Sequence, residues 1–228
     1  MSGNGDERAD KPSIKRQIEE LDYQGETEAL ERLTEESKQT LKYQIDSLND
    51  IDSKAISILR VNVLLIGLLF TAASFVADSS FNLESLDNWA FYTGIISLLL
   101  SSALAALTYT ASDSEVGIES EKIEKVIDAD LSHREFEIAA AQSHIRWIWF
   151  NNRTNVINAL LITLTNLALI IGLSHLAFGV YLALDGTYSG LIGITMWVLL
   201  LILIISSQVI NQLKTFRKEV DLRELRPW

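Results

Sequence analysis

Four stretches without a formal charge constrain this chain more than any other feature. They hold 17 residues between Arg60 and Asp78, 25 between Asp87 and Asp113, 31 between Arg153 and Asp185, and 28 between Asp185 and Lys214. A helix rises about 1.5 Å per residue, so roughly 20 apolar residues cross a hydrocarbon core of about 30 Å. Three of the stretches exceed that length. The first reaches it with help from Arg60, whose long stem can lie in lipid while its guanidinium returns to the headgroups. The spacing predicts spans over Ile56–Ala77, Trp89–Thr110, Thr154–Ala183 and Leu191–Gln212. In a chain of 228 residues too little polar sequence is left to cover four such helices in water. The expected fold is all-α: an integral membrane protein with four transmembrane helices in two hairpins, whose long helices extend into a cytoplasmic helical domain.

Charge sets the expected orientation. All 19 lysines and arginines fall before residue 61, between 111 and 153, or after Asn211. The two remaining connectors carry only Asp78, Glu84, Asp87 and Asp185. The positive-inside rule then places both termini in the cytoplasm of a multi-pass cell-membrane protein. The basic regions also hold 26 of the 30 acids, so the cytoplasmic surface is acidic, which argues against nucleic acid as a partner.

Residues 1–25 read as a disordered acidic terminus and 26–55 as a cytoplasmic amphipathic helix, with Leu30, Leu33, Leu41, Ile45, Leu48, Ile51 and Ala55 at helical spacing. No glycine or proline interrupts 26–66, so one helix of roughly fifty residues entering the first span is expected. Its wet half suits packing against a neighbouring helix better than an oligomerising coiled coil, because the stripe is short and irregular. The first hairpin covers 56–110. The connector 111–153 reads as two amphipathic pieces, carrying Ile118, Ile123, Val126 and Ile127, then Leu131, Phe136, Ile138 and Ala141, with a break near Asp130. Its second piece feeds the third span, where Trp147, Trp149 and Phe150 would sit in an interfacial aromatic belt. The second hairpin covers 154–212 and a basic-flanked tail 213–228. The two halves share one plan, without a residue-level repeat.

Polar residues in lipid face other helices or water. One face of the first span carries Arg60, Gly67, Thr71, Ser74 and Asp78. The second carries Gly94, Ser97, Ser101, Ala105 and Thr108. The third carries Asn155, Asn158, Thr165, Asn166 and Gly172. Helix–helix packing is the plain role for these groups, and a hydrated path through several protomers is the alternative. At the point where the first helix enters lipid, Asp52, Lys54, Arg60 and Asn62 form a cluster that would fix the depth of the helix.

The chain has no cysteine and none of the GxxxxGK, GxSxG or HExxH motifs. His133 and Glu137 have metal-compatible spacing but no further ligand, and His175 reads as a bundle-facing hydrogen-bonder. A non-enzyme without cofactor or metal is expected.

The segment "DIDSKAISILRVNVLLIG", through Asp52, Lys54, Ala55 and Asn62, resembles the start of the first membrane helix in the Pycsar transmembrane effectors. The related SLATT membrane effectors share the plan, and "WFNNRTN" is a looser match to the same class. The resemblance implies antiviral defence, in which membrane helices disrupt the host membrane when a cyclic-nucleotide signal arrives. The functional expectation is an oligomeric, membrane-disrupting or channel-like effector controlled by its cytoplasmic helices. Its partners would be the lipid bilayer, further copies of itself, and a cyclic-nucleotide signal or a protein. The alternative is a membrane-anchored scaffold or sensor with no permeation path.

Overall fold

The structure is a computed structural model that describes residues 25–77, 83–112, 128, 131–185 and 190–224. Every regular element among these residues is helical. Helix α1 spans Thr27–Ala77, and a 3-10 turn spans Leu83–Leu86. Helices α2 to α5 follow at Trp89–Thr110, His133–Asp185, Gly190–Ser206 and Val209–Glu224. Helices α1, α2 and α3 are long and apolar enough to cross a membrane, and α4 with α5 makes a fourth candidate if the bent pair counts as one span. The expected terminus 1–25 lies almost wholly outside the described residues, as do Asp78, the first piece of the connector and its break near Asp130.

Local chemistry accounts for the helix ends. Asn88 caps α2 with an extended backbone (φ −136°, ψ 151°), and its side chain accepts from the Phe91 N–H at 2.9 Å. Ahead of α3, Ser132 and Glu135 form a capping box. The Glu135 carboxylate accepts from the Ser132 N–H at 2.7 Å, while the Ser132 hydroxyl accepts from the Glu135 N–H at 3.4 Å. The continuous first helix is observed, with 51 residues, and α3 continues without a break for 53.

The fourth segment departs from expectation. The helix expected through Gln212 stops at Ser206, and the chain bends by 40° before α5. The hydroxyls of Ser206 and Ser207 donate back to the Ile202 and Ile204 carbonyls, and Gln208 adopts a left-handed backbone with φ 56°. Paired serines that bond their own backbone are a recognised cause of helix breaks, and the left-handed residue completes this one.

The chain divides into two compact units. The first comprises the described parts of Met1–Ile45 and Ser114–Asn152. There α1 and α3 run parallel: Glu31 meets His133, Thr34 meets Glu137 and Gln44 meets the Ile148 carbonyl, always 102 to 104 residues apart. Leu30 packs against Ile138, with Leu131 and Ala139 beside them. On α1 the buried residues Leu30, Thr34, Ser37 and Leu41 follow four–three–four spacing.

The second unit comprises the described parts of Asp46–Asp113 and Arg153–Trp228. Here α1 contributes the buried Leu48, Ile51, Ala55 and Asn62, at three–four–seven spacing. Ile51 and Ala55 pack with Ile162, flanked by Ile58 and Ala159. Helix α2 runs antiparallel to α3 at backbone-contact distance. A Cβ at Gly94 would lie 2.6 Å from Leu176 Cγ, one at Gly172 would lie 2.9 Å from Leu98 Cδ2, and one at Gly179 would lie 2.7 Å from Phe91 N. Small residues at such crossings are what let membrane helices approach. Beyond Asn62 the character of α1 changes: Val63, Leu64, Leu68, Phe70 and Phe75 are exposed, and a Cβ at Gly67 would meet nothing within 4 Å. That surface suits contact with lipid chains.

Candidate functional site

The buried face of α3 has an unusual composition for an apolar helix. Ala141, His144, Asn151, Asn158, Ile162, Thr165 and Gly172 recur at intervals that sum to heptads, and all are buried. Five of the seven are polar or glycine. Such a stripe specifies one register at a cost in stability, because each amide or imidazole must find a partner away from water.

In the second unit the stripe is organised as two hydrogen-bonded rungs, each joining α1, α2 and α3. In one, Asn62 Nδ2 donates to Ser101 Oγ at 2.9 Å, and Ser101 Oγ donates to the Thr165 carbonyl at 3.0 Å. All three residues are fully buried. In the other, Asn158 Nδ2 donates to Ser112 Oγ at 2.8 Å, and Ser112 Oγ donates to Asp52 Oδ1. Neither rung is complete: Asn62 Oδ1 and Asn158 Oδ1 are buried and accept no hydrogen bond. A buried carbonyl in that state costs about 1–3 kcal/mol. The α1–α3 seam is therefore specific in geometry yet held below the stability that a leucine seam of the same shape would have.

The candidate residues divide accordingly. The expected cluster of Asp52, Lys54, Arg60 and Asn62 is split by the helix: Asp52 and Asn62 turn into the rungs, while Lys54 and Arg60 are exposed. Lys54 pairs with Asp50 one turn back at 2.6 Å, an exposed contact worth a few tenths of a kcal/mol. The face expected to unite Gly67, Thr71 and Ser74 points away from the other described helices. Thr71 and Ser74 are exposed and donate to the Gly67 and Phe70 carbonyls of their own helix. Asn166 is likewise exposed and donates to the Ile162 carbonyl. Each of these satisfies itself locally, so none needs an interhelical partner. Ser101 and Asn158 lie in the rungs as expected. Ser97 is only half-buried, because the buried ridge of α2 passes through Leu98 between Gly94 and Ser101. Asn155 is half-buried on α3, and Trp147, Trp149 and Phe150 are half-buried in the first unit.

Two residues, Ser112 and His144, escaped the sequence reading, and Thr165, expected on the polar face of the third span, contributes in another way than expected. Ser112 lies just past α2, and neither length nor hydropathy marks it. Thr165 offers its backbone rather than its side chain to the rung. His144 is buried, sits 5.3 Å from the Trp147 ring, and has Nδ1 without a partner. The heptad spacing of Asn151, Asn158 and Thr165 was the available signal.

Burial holds the His144 imidazole below its ordinary pKa; Lys38 adds to this, and Glu137 partly opposes it. A histidine with a depressed folded pKa binds its proton more readily when unfolded. Stability is thus unaffected above about pH 6.5 and falls as pH drops below that value. Thermal melting of the full chain should therefore show a loss between pH 7.5 and 5.5 that is smaller in His144→Leu. An equal loss in both proteins would remove His144 from this role. His133 and Glu137 do not converge on one point: His133 Nε2 lies 2.9 Å from Glu31, and Glu137 accepts from Thr34 at 3.1 Å.

Near the Asp185 end of α3, the buried His175 stands edge-on to Trp89 and Trp197, with centroids 5.8 and 5.7 Å away. It faces the bundle as expected, yet its Nδ1 bonds the Ile171 carbonyl of its own helix at 2.9 Å. No protein-family model matches the chain, and no match was found among curated proteins or solved structures.

Proposed function

We propose that this chain is a multi-pass membrane protein that acts, as an oligomer, as a membrane-disrupting or channel-like effector. Both termini lie in the cytoplasm, and the α1–α3 seam is the part that opens. The observation carrying the proposal is the seam itself. Beside the apolar contacts of Ile51 and Ala55 with Ile162, α1 and α3 are bridged through Ser101 and Ser112 by asparagines whose side-chain carbonyls lack partners, where an inert anchor would use leucine. An interface that is specific but incompletely satisfied can exchange its internal partners for water or for another copy of the chain at modest cost. Beyond Asn62 no described residue of α1 is fully buried, so the contacts that parting it from α3 must break lie mainly at and before Asn62.

Position in the bilayer supports the same reading. On α3, 26 residues separate Trp149 from His175, the level of Trp89 and Trp197. At about 1.5 Å per residue that is roughly 39 Å, close to the roughly 40–45 Å thickness of a bilayer with its headgroup regions included. The pairing of α1 with α3 in the first unit is where a trigger would act, whether a cyclic-nucleotide signal or a protein. A scaffold or sensor without a permeation path is the second reading. It is favoured by the exposed acids Glu28, Glu35, Glu36 and Asp50 along α1, which suit a basic protein partner.

The discriminating experiment is reconstitution into dye-loaded liposomes. The effector predicts release that rises with the protein-to-lipid ratio and with a cyclic nucleotide or other trigger. Vesicles that stay tight at every ratio and under every trigger tried would favour the scaffold.

A further inference from the structure

With α4 and α5 read as one span of an oligomeric membrane protein, we infer that α5 borders a water-filled path. The path enters the membrane from the cytoplasmic side and ends at the Ser206–Gln208 break. Trp197 on α4 stands beside His175, which marks the outer aromatic level. Nine residues separate Trp197 from Ser206, and eleven separate it from Gln208. At about 1.5 Å per residue the break lies roughly 14–17 Å below that level. The two aromatic levels are roughly 39 Å apart and the hydrocarbon core between them is about 30 Å thick, so the break falls inside the core and close to its midplane.

Backbone chemistry makes that depth costly. A helix that stops and restarts leaves N–H and C=O groups without intrahelical partners. Lipid chains offer such groups nothing to bond, so non-helical backbone persists at membrane depth only where protein buries it or water reaches it. The described helices of one copy do not bury it, because Ser206 and Gln208 are exposed. Gln208 also holds a left-handed backbone, φ 56°, which residues with a Cβ rarely adopt.

The side chains on either side of the break favour water as the cover. Below it, Asn211, Thr215 and Lys218 share one face of α5 at four–three spacing, and all three are exposed. This polar stripe runs from the break to the cationic end of α5, where Lys214, Arg217 and Lys218 stand with no acid between Val209 and Lys218. Water can therefore enter along it from the cytoplasm. A dry contact with another helix would need small residues for close approach, and 209–218 holds no glycine or alanine. Above the break, every residue from Val198 to Ile205 is valine, leucine or isoleucine. That half stays dry, and the path stops at the break. Because the stripe is exposed in one copy, the facing wall comes from a second copy of the chain.

The test places single cysteines in the full chain, which has none of its own. A charged, membrane-impermeant methanethiosulfonate is added to inside-out and to right-side-out vesicles. Ser206→Cys, Asn211→Cys and Thr215→Cys should react from the cytoplasmic side within about tenfold of the rate at Lys218→Cys, because a hydrated thiol ionises to the reactive thiolate. From the outer side they should not react. Leu201→Cys and Ile205→Cys should stay unmodified from either side. All five positions are exposed, so the exchanges leave the packing intact. Stripe cysteines as inert as Leu201→Cys overturn the path while leaving the span in place. Modification of Leu201→Cys and Ile205→Cys as well means that α4 and α5 are not a span, and the path falls with it. A bifunctional methanethiosulfonate should join two copies at Asn211→Cys, and monomer alone overturns the second copy as the facing wall.

Discussion

Gly179→Leu should destabilise the bundle by about 3 kcal/mol or more, lowering Tm by roughly 6–12 °C, while Gly67→Leu should leave it nearly unchanged. The two substitutions add the same atoms to apolar helices and differ in what those atoms meet. At Gly179 a Cβ would lie 2.7 Å from Phe91 N and 2.8 Å from its Cα. Backbone cannot turn aside as a flexible side chain can, so α2 and α3 must separate. Separation would also break the hydrogen bond from Asn88 Nδ2 to the Gly179 carbonyl, 3.1 Å long. At Gly67 nothing lies within 4 Å. Thermal unfolding of the two variants beside the parent checks the pair. Equal losses would mean that the close α2–α3 crossing is not the main contact in this unit.

The second large effect is on activity. Replacing both Asn62 and Asn158 by leucine should make the chain more stable and less able to release vesicle contents. Each substitution removes a buried unpaired carbonyl, worth about 1–3 kcal/mol. Each also removes one interhelical hydrogen bond, worth about 0.6–1.7 kcal/mol in lipid. Ser101 and Ser112 keep their own acceptors, so no new orphan appears. The net gain is about 1–2 kcal/mol for the pair, and if opening parts the seam, release should slow about tenfold. A double variant that is more stable yet equally leaky would place the opening elsewhere.

Length and charge made most of the architecture legible. The 51-residue first helix was readable because no glycine or proline interrupts it before Gly67, and because its apolar stripe runs into uncharged sequence. The stop in the fourth segment was not, because Ser206, Ser207 and Gln208 lack the glycine that usually marks a left-handed cap. The candidate site was half legible. Composition alone showed that asparagine, serine and threonine lie within apolar sequence. It could not show which of them bond their own backbone on an exposed face, as Thr71, Ser74 and Asn166 do, and which turn inward, as Asn62 and Asn158 do. Heptad phase would have sorted them: Leu48, Ala55 and Asn62 on α1 lie seven apart, as do Asn151, Asn158 and Thr165 on α3. The partnership of Ser112 with Asp52 spans 60 residues and depends on where α2 ends, which no local pattern encodes.

Cysteine cross-linking tests the α1–α3 seam most directly, because the chain has no native cysteine. Ala55 and Ala159 belong to one packed cluster, and exchanging either for cysteine adds a single atom. With both as cysteine, an oxidant should form an intramolecular disulfide in untriggered membranes, and the bond should block content release until it is reduced. Lys54→Cys with Ala159→Cys, which starts from an exposed position, should remain unlinked. Failure of the Ala55 and Ala159 pair to link, or a linked protein that releases contents as freely as the reduced one, would contradict the account.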